Sequence, residues 1–188
     1  MKLYLIRHTT PLIEMGVCYG QSDIDVTHTF DKESAELKKK IGNIAFDAVY
    51  SSPLLRCTKL ANTIQIGNVQ YDARIKELNF GDWEMRRWDD IPREIFDTWS
   101  LDYANLAPPN GETFTELHQR CISFVEDLKS KHHNQHVAVF THGGVIRAML
   151  AEVLNMPLKG LFRFNIDYAG VTALDFNHPI PKIGFVNR

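Results

Sequence analysis

Apolar runs broken by glycine, proline and short polar turns divide the chain into alternating strand and helix candidates. Residues 3–6 (Leu-Tyr-Leu-Ile) form an unbroken apolar run, the pattern of a strand buried on both faces. Residues 31–41 follow helical spacing, with Ala35, Leu37 and Ile41 among lysines and glutamates and Gly42 as a stop. A second strand is predicted over 46–50. Ser51-Ser52-Pro53 then predicts a helix start, with serine as cap and proline at the first helical position. Leu54, Leu55, Thr58, Ala61 and Ile64 continue that helix towards Gly67, and 69–71 is a short third strand. Thr113 to Glu116 reads as a capping box, after which Phe114, Leu117, Cys121, Phe124, Val125 and Leu128 share one helix face. The polar stretch 129–136 ends that helix. Residues 137–141 are a second apolar strand, followed through His142-Gly143-Gly144 by a helix that stops before Pro157. Strands over 171–176 and 183–186 complete the pattern.

Strands alternating with helices predict an α/β fold: a three-layer sandwich with a mainly parallel central sheet flanked by helices, as one domain over 1–188. Two stretches interrupt the alternation. Residues 12–30 read as a long loop containing Tyr19-Gly20-Gln21-Ser22-Asp23, and a loop of that length in a compact domain is often functional. Residues 83–110 mix Trp83, Trp88, Phe96, Trp99 and Tyr103 with Arg86, Arg87, Arg93 and several acids. Helical pieces without a clean period are expected there, forming an elaboration over the sheet edge.

Composition narrows the function. With 44% hydrophobic and 23% charged residues the balance is that of a globular domain. A net charge of -2 argues against a nucleic-acid surface, so any anion site must be a local cluster of cations. Cys18, Cys57 and Cys121 are too scattered for a disulfide framework or a metal-type pair. His132, His133 and His136 crowd a polar loop without cysteine partners and read as solvated side chains, so no metal and no cofactor is expected. No signal-peptide pattern and no membrane-length apolar run is present, which predicts a cytoplasmic protein without membrane partners.

The candidate chemistry gathers at predicted strand ends, where ligands bind in open α/β sheets. Arg7 and His8 end the first strand, and guanidinium and imidazole are both donors to phosphate-type oxygens. Arg56 falls in the first turn of a helix, where a cation gains nothing from the helix dipole unless an anion lies between them. His142 ends another strand before a glycine pair, which lets backbone amides approach an oxyanion. Glu77 lies on a loop after a strand. Together these suit phosphoryl transfer: a nucleophile, a cationic clamp and an acid.

These segments resemble the histidine phosphatase superfamily, the phosphoglycerate mutase-like group. Arg7-His8 is similar to its Arg-His-Gly signature, with Thr9 in place of the glycine. Ser52 to Arg56, Glu77 to Gly81 and Thr141 to Gly144 resemble its other three motifs, in the family's order. Tyr19 to Asp23, Phe80 to Met85 and Asn110-Gly111-Glu112 are similar to the α-ribazole phosphatases of cobalamin synthesis. The resemblance implies His8 as nucleophile, Arg7, Arg56 and His142 as phosphate pocket, and Glu77 as acid and base. It further implies substrate contacts from Thr9, Tyr19, Gly20, Gln21, Trp83 and Gly143. The expected activity is a cofactor-independent phosphomonoesterase on a small-molecule phosphate ester, α-ribazole 5′-phosphate first. Glycerate or sugar phosphates are the alternative, with Arg86 and Arg87 as the added cations; a phospho-ligand binding module is the non-enzyme reading. Thr10 to Glu14 lacks the asparagine usual in the mutases, which weighs against a mutase.

Overall fold

The computed structural model describes residues 1–188 as one six-stranded sheet with helices packed on both faces. The strands are β1 (Lys2–Arg7), β2 (Ala48–Ser51), β3 (Val69–Tyr71), β4 (His136–Thr141), β5 (Val171–Asp175) and β6 (Lys182–Phe185). The helices are α1 (Phe30–Ile41), α2 (Leu55–Ile64), α3 (Arg93–Leu101), α4 (Phe114–Lys131) and α5 (Gly143–Val153). The sheet order is β3-β2-β4-β1-β5-β6. β1 with β4, β2 with β4 and β2 with β3 are parallel, whereas β5 and β6 add on antiparallel beside β1.

Because side chains alternate across a strand, one apolar run feeds two cores. Leu3, Leu5, Val137, Val139 and Tyr50 face a layer built from α4 and α5. Tyr4, Ile6, Ala138, Phe140 and Val49 face the layer of α1 and α2. The aromatic segment belongs to the first of these: Trp83, Ile91 and Trp99 are buried in the same cluster as Phe114, Leu117 and Met149. Its helical piece is α3, flanked by single turns at Gly81–Trp83 and Trp88–Asp90.

One predicted boundary differs. α2 starts at Leu55 with Leu54 in the cap position, not at Pro53 with a serine cap. The side chain that meets its first turn comes from far along the chain, since the Leu55 amide donates to Asp23 Oδ1 at 2.6 Å. Ser52 Oγ instead accepts from the Leu54 amide at 3.4 Å, ahead of the helix.

Strand register positions the site. Arg7 pairs with Thr141 and Ser51 with Phe140, so His8, His142 and Ser52 all emerge at one end of the sheet.

Candidate active site

His8 leaves β1 buried, with 1% of its surface exposed. Its Nδ1 lies 2.7 Å from the Thr9 carbonyl oxygen. A carbonyl only accepts, so Nδ1 carries the proton and Nε2 keeps its lone pair. Burial, with Arg56 and Arg7 adding like charge, holds His8 well below the ordinary histidine range; the Thr9 carbonyl opposes this only partly. The imidazole is neutral at physiological pH.

His142 is the residue before α5 and stands 5.2 Å from His8 between ring centroids. It is fully buried, and burial together with the cation Arg56 also lowers its proton affinity well below the usual range. Its Nε2 lies 2.8 Å from Ser52 Oγ. The Cys57 thiol packs 3.5 Å from the same nitrogen, and burial pushes that thiol up to about 12.

Arg56 is 0% exposed and donates to the Ser22 carbonyl at 3.0 Å and the Gly20 carbonyl at 2.6 Å. No carboxylate pairs with it. Arg7 packs its guanidinium 3.9 Å from the Tyr168 ring centroid and donates to the Ile166 carbonyl. Arg7 Nε, Arg56 Nε and Thr9 Oγ1 are buried without a partner in the protein. Buried donors left unmatched are costly, and a dianionic phosphoryl group supplies the acceptors that two guanidinium groups lack.

Glu77 approaches from the loop after β3. Its Oε1 accepts from the Leu78 amide at 2.9 Å and its Oε2 from the Gly144 amide at 3.1 Å. The Gly144 amide, expected to face an oxyanion, thus holds the carboxylate instead. The start of α5 favours a negative group there. A side chain at Gly144 would place its Cβ 2.2 Å from Glu77 Oε1, so only glycine permits the approach.

Beside Glu77 opens a cavity of about 160 Å³, lined by Tyr19, Phe80, Trp88, Phe114 and Phe162 together with Gly144 and Arg147. Trp83, expected at the substrate, is 2% exposed and does not line it. It is packed edge-on against Trp88 and Trp99, where burial of a large ring outweighs exposure for stacking. Arg86 and Arg87 turn outward, to the Asp90 carbonyl and to Glu14. The cation that faces the cavity is Arg147, missed in the sequence because it falls on the buried helix α5 without a motif of its own.

The loop 19–23 divides its roles. Tyr19 lines the cavity and bonds hydroxyl to hydroxyl with Tyr168 at 2.7 Å. Gly20 lies against the Leu78 carbonyl, too close for any Cβ. Gln21 directs its amide to the Glu77 carbonyl at 3.1 Å rather than to the cavity. Glu84 ties this loop down by accepting from the Gln21, Ser22 and Phe80 amides and the Ser22 hydroxyl. Burial works against its ionisation, yet those hydrogen bonds outweigh it and lower Glu84 below the ordinary carboxyl range. Gly143 opens α5 beside Arg7 and Arg147.

A family model described as the histidine phosphatase superfamily (branch 1) matches residues 3–188. The adenosylcobalamin/alpha-ribazole phosphatase of Escherichia coli K12 is 28% identical over 194 aligned positions, spanning 100% of this chain and 96% of the relative. Phosphoserine phosphatase 1 of Hydrogenobacter thermophilus is 26% identical over 182 positions, with 93% and 86% covered. The crystal structure of the alpha-ribazole phosphatase from Shigella flexneri superposes with a TM-score of 0.90 at 28% identity, over 100% of this chain and 96% of that one.

Proposed function

Because the chain belongs to the histidine phosphatase superfamily, we propose that it hydrolyses phosphate monoesters through a phosphohistidine on His8. The observation that carries this reading is the hydrogen bond from His8 Nδ1–H to the Thr9 carbonyl, which leaves Nε2 as an unprotonated nucleophile. Nε2 attacks phosphorus while the bond to the leaving oxygen breaks. Arg7, Arg56 and His142 hold the phosphoryl oxygens, and Glu77 protonates the departing alkoxide. Glu77, now a carboxylate, takes a proton from water as the water attacks the phosphohistidine; inorganic phosphate leaves and Nε2 is restored.

For the substrate, the reading is α-ribazole 5′-phosphate, with a role in assembling the cobalamin nucleotide loop. Full-length similarity to α-ribazole phosphatases supports it, as do the five aromatic rings around the cavity beside Glu77. A flat base gains about 1–3 kcal/mol from such stacking. A second reading rests on Arg147. Its Nε donates to the Phe164 carbonyl at 3.0 Å, but its other donors have no partner in the protein. A carboxylate on the leaving group would match them, as in phosphoserine or a phosphoglycerate.

Two measurements test this. Alkaline quenching during turnover should trap label on His8, because a phosphohistidine is stable to base and labile to acid. Label that persists in His8→Ala overturns the nucleophile. Comparing kcat/KM for α-ribazole 5′-phosphate, phosphoserine and 3-phosphoglycerate decides the substrate. Trp88→Ala should lower the first by about 5- to 150-fold and spare glycerol phosphate. Faster turnover of the carboxylate esters, lost in Arg147→Gln, selects the second reading.

A further inference from the structure

The loop that carries Glu77 is held by one ion pair from the α4 region. Arg120 lies on α4 and Glu112 just before it, and their side chains are only 19% and 17% exposed. Arg120 Nη1 donates to the Arg74 carbonyl at 2.6 Å and the Lys76 carbonyl at 2.7 Å. Its Nη2 donates to the Glu77 carbonyl at 2.9 Å and to Glu112 Oε1 at 2.5 Å, and its Nε to Glu112 Oε2 at 3.0 Å. Every N–H of the guanidinium is therefore matched. Glu112 Oε1 also accepts from the Asn79 amide at 2.9 Å, so the pair grips the chain on both sides of Glu77. The one carbonyl skipped, that of Ile75, accepts from the hydroxyl of Thr141, the neighbour of His142.

We propose that Arg120 and Glu112 form a positioning bracket that fixes the Glu77 carboxyl group against the leaving-group oxygen. The carboxylate's own anchors are insufficient through the reaction. When Glu77 is protonated to act as an acid, one oxygen becomes a hydroxyl and its acceptor capacity falls, loosening its hold on the Leu78 or Gly144 amide. The backbone bracket does not change with that proton. Only arginine presents the planar fork that reaches three carbonyls and a bidentate carboxylate; the point charge of lysine does not. Neither residue touches the reacting atoms.

The inference rests on Glu77 as the acid, and the test separates the two. The measure is kcat/KM, which reports the steps up to phosphoenzyme formation, for an alkyl phosphate and for nitrophenyl phosphate. Nitrophenolate departs without a proton, so only the alkyl ester needs a well-placed acid. Arg120→Lys and Glu112→Gln should each lower the alkyl value about 10- to 100-fold, as a displacement near 1 Å does, with the nitrophenyl value falling less than about 3-fold. In a Glu77→Gln background either substitution should add almost nothing to the alkyl loss. Equal losses on both esters, or full additivity with Glu77→Gln, overturn the bracket as a positioning device. If Arg120→Lys fails to fold, Glu112→Gln carries the same comparison. A Glu77→Gln enzyme that loses both esters alike overturns the acid assignment and the bracket with it.

Discussion

At His8 a single carbonyl decides which ring nitrogen can react, and burial, reinforced by nearby cations, decides its charge. Burial and then the charges of Arg56 and Arg7 depress its proton affinity, so the nucleophile stays neutral well into acid. The acid limb of kcat/KM for nitrophenyl phosphate, corrected for ionisation of the ester, should therefore lie below pH 6.5, the ordinary histidine value. A corrected acid limb at or above that pH would contradict a neutral His8. Arg7, His8 and His142 were legible as candidates because each follows an apolar strand, and Arg56 because it falls in the first turn of a helix, whereas Glu77 stood out only as an acid on a loop after a strand. Tyr168 and Arg147 were not legible. Tyr168 lies in an irregular stretch after α5, and only the fold brings it against Arg7 and His8. Trp83 is expected at the substrate because it lies just beyond Glu77 in sequence, yet its ring is buried inside the aromatic cluster.

Among the elements, the junction of β4 with α5 does most to assemble the site. His142 supplies a ring at the strand end, and two residues later the Gly144 amide holds Glu77. The glycine pair was legible as a close approach, but its partner was not: hydrogen-bond patterns between distant loops leave no periodic trace in sequence. The same holds for α2, whose start is fixed by Asp23, a residue 32 positions earlier. Gly144→Ala tests the junction. A methyl group 2.2 Å from Glu77 Oε1 must displace the carboxyl group, while helix propensity itself favours alanine. The variant should keep or gain thermal stability yet lose alkyl phosphate turnover by about 10- to 100-fold, with nitrophenyl phosphate much less affected. Unchanged alkyl phosphate turnover would show that Glu77 does not depend on that approach.

Across the whole molecule, the alternating pattern made the layered α/β fold and its mainly parallel sheet legible, whereas the antiparallel addition of β5 and β6 was not. Periodicity marks burial and is silent on whether β5 runs with β1 or against it. Net charge was equally blind to the site, because the cations around His8 are offset by acids elsewhere on the surface. Burial of titratable groups, however, gives the whole chain a predictable response to pH. His8 and His142 remain neutral in the fold well below 6.5, while in the unfolded chain they take up protons near that value. Below about pH 6.5 the unfolded state binds more protons, so stability falls with acid. Each group contributes up to about 1.4 kcal/mol per pH unit. Glu84, lowered in the fold, extends the loss as pH drops below 4.5. On the alkaline side burial raises Cys57 and Cys121 to about 12 from 9.0, so unfolded thiols ionise first and stability declines above about pH 9. Urea midpoints should therefore form a plateau between about pH 6.5 and 9 and fall on either side. Below about pH 6.5 the midpoint should fall as the two histidines resist protonation in the fold, and His8→Asn should make that fall shallower. A midpoint that stays flat down to about pH 5, in wild type and variant alike, would mean that both rings are protonated in the fold. The plateau would then reach to about pH 5, and the neutral nucleophile would be lost.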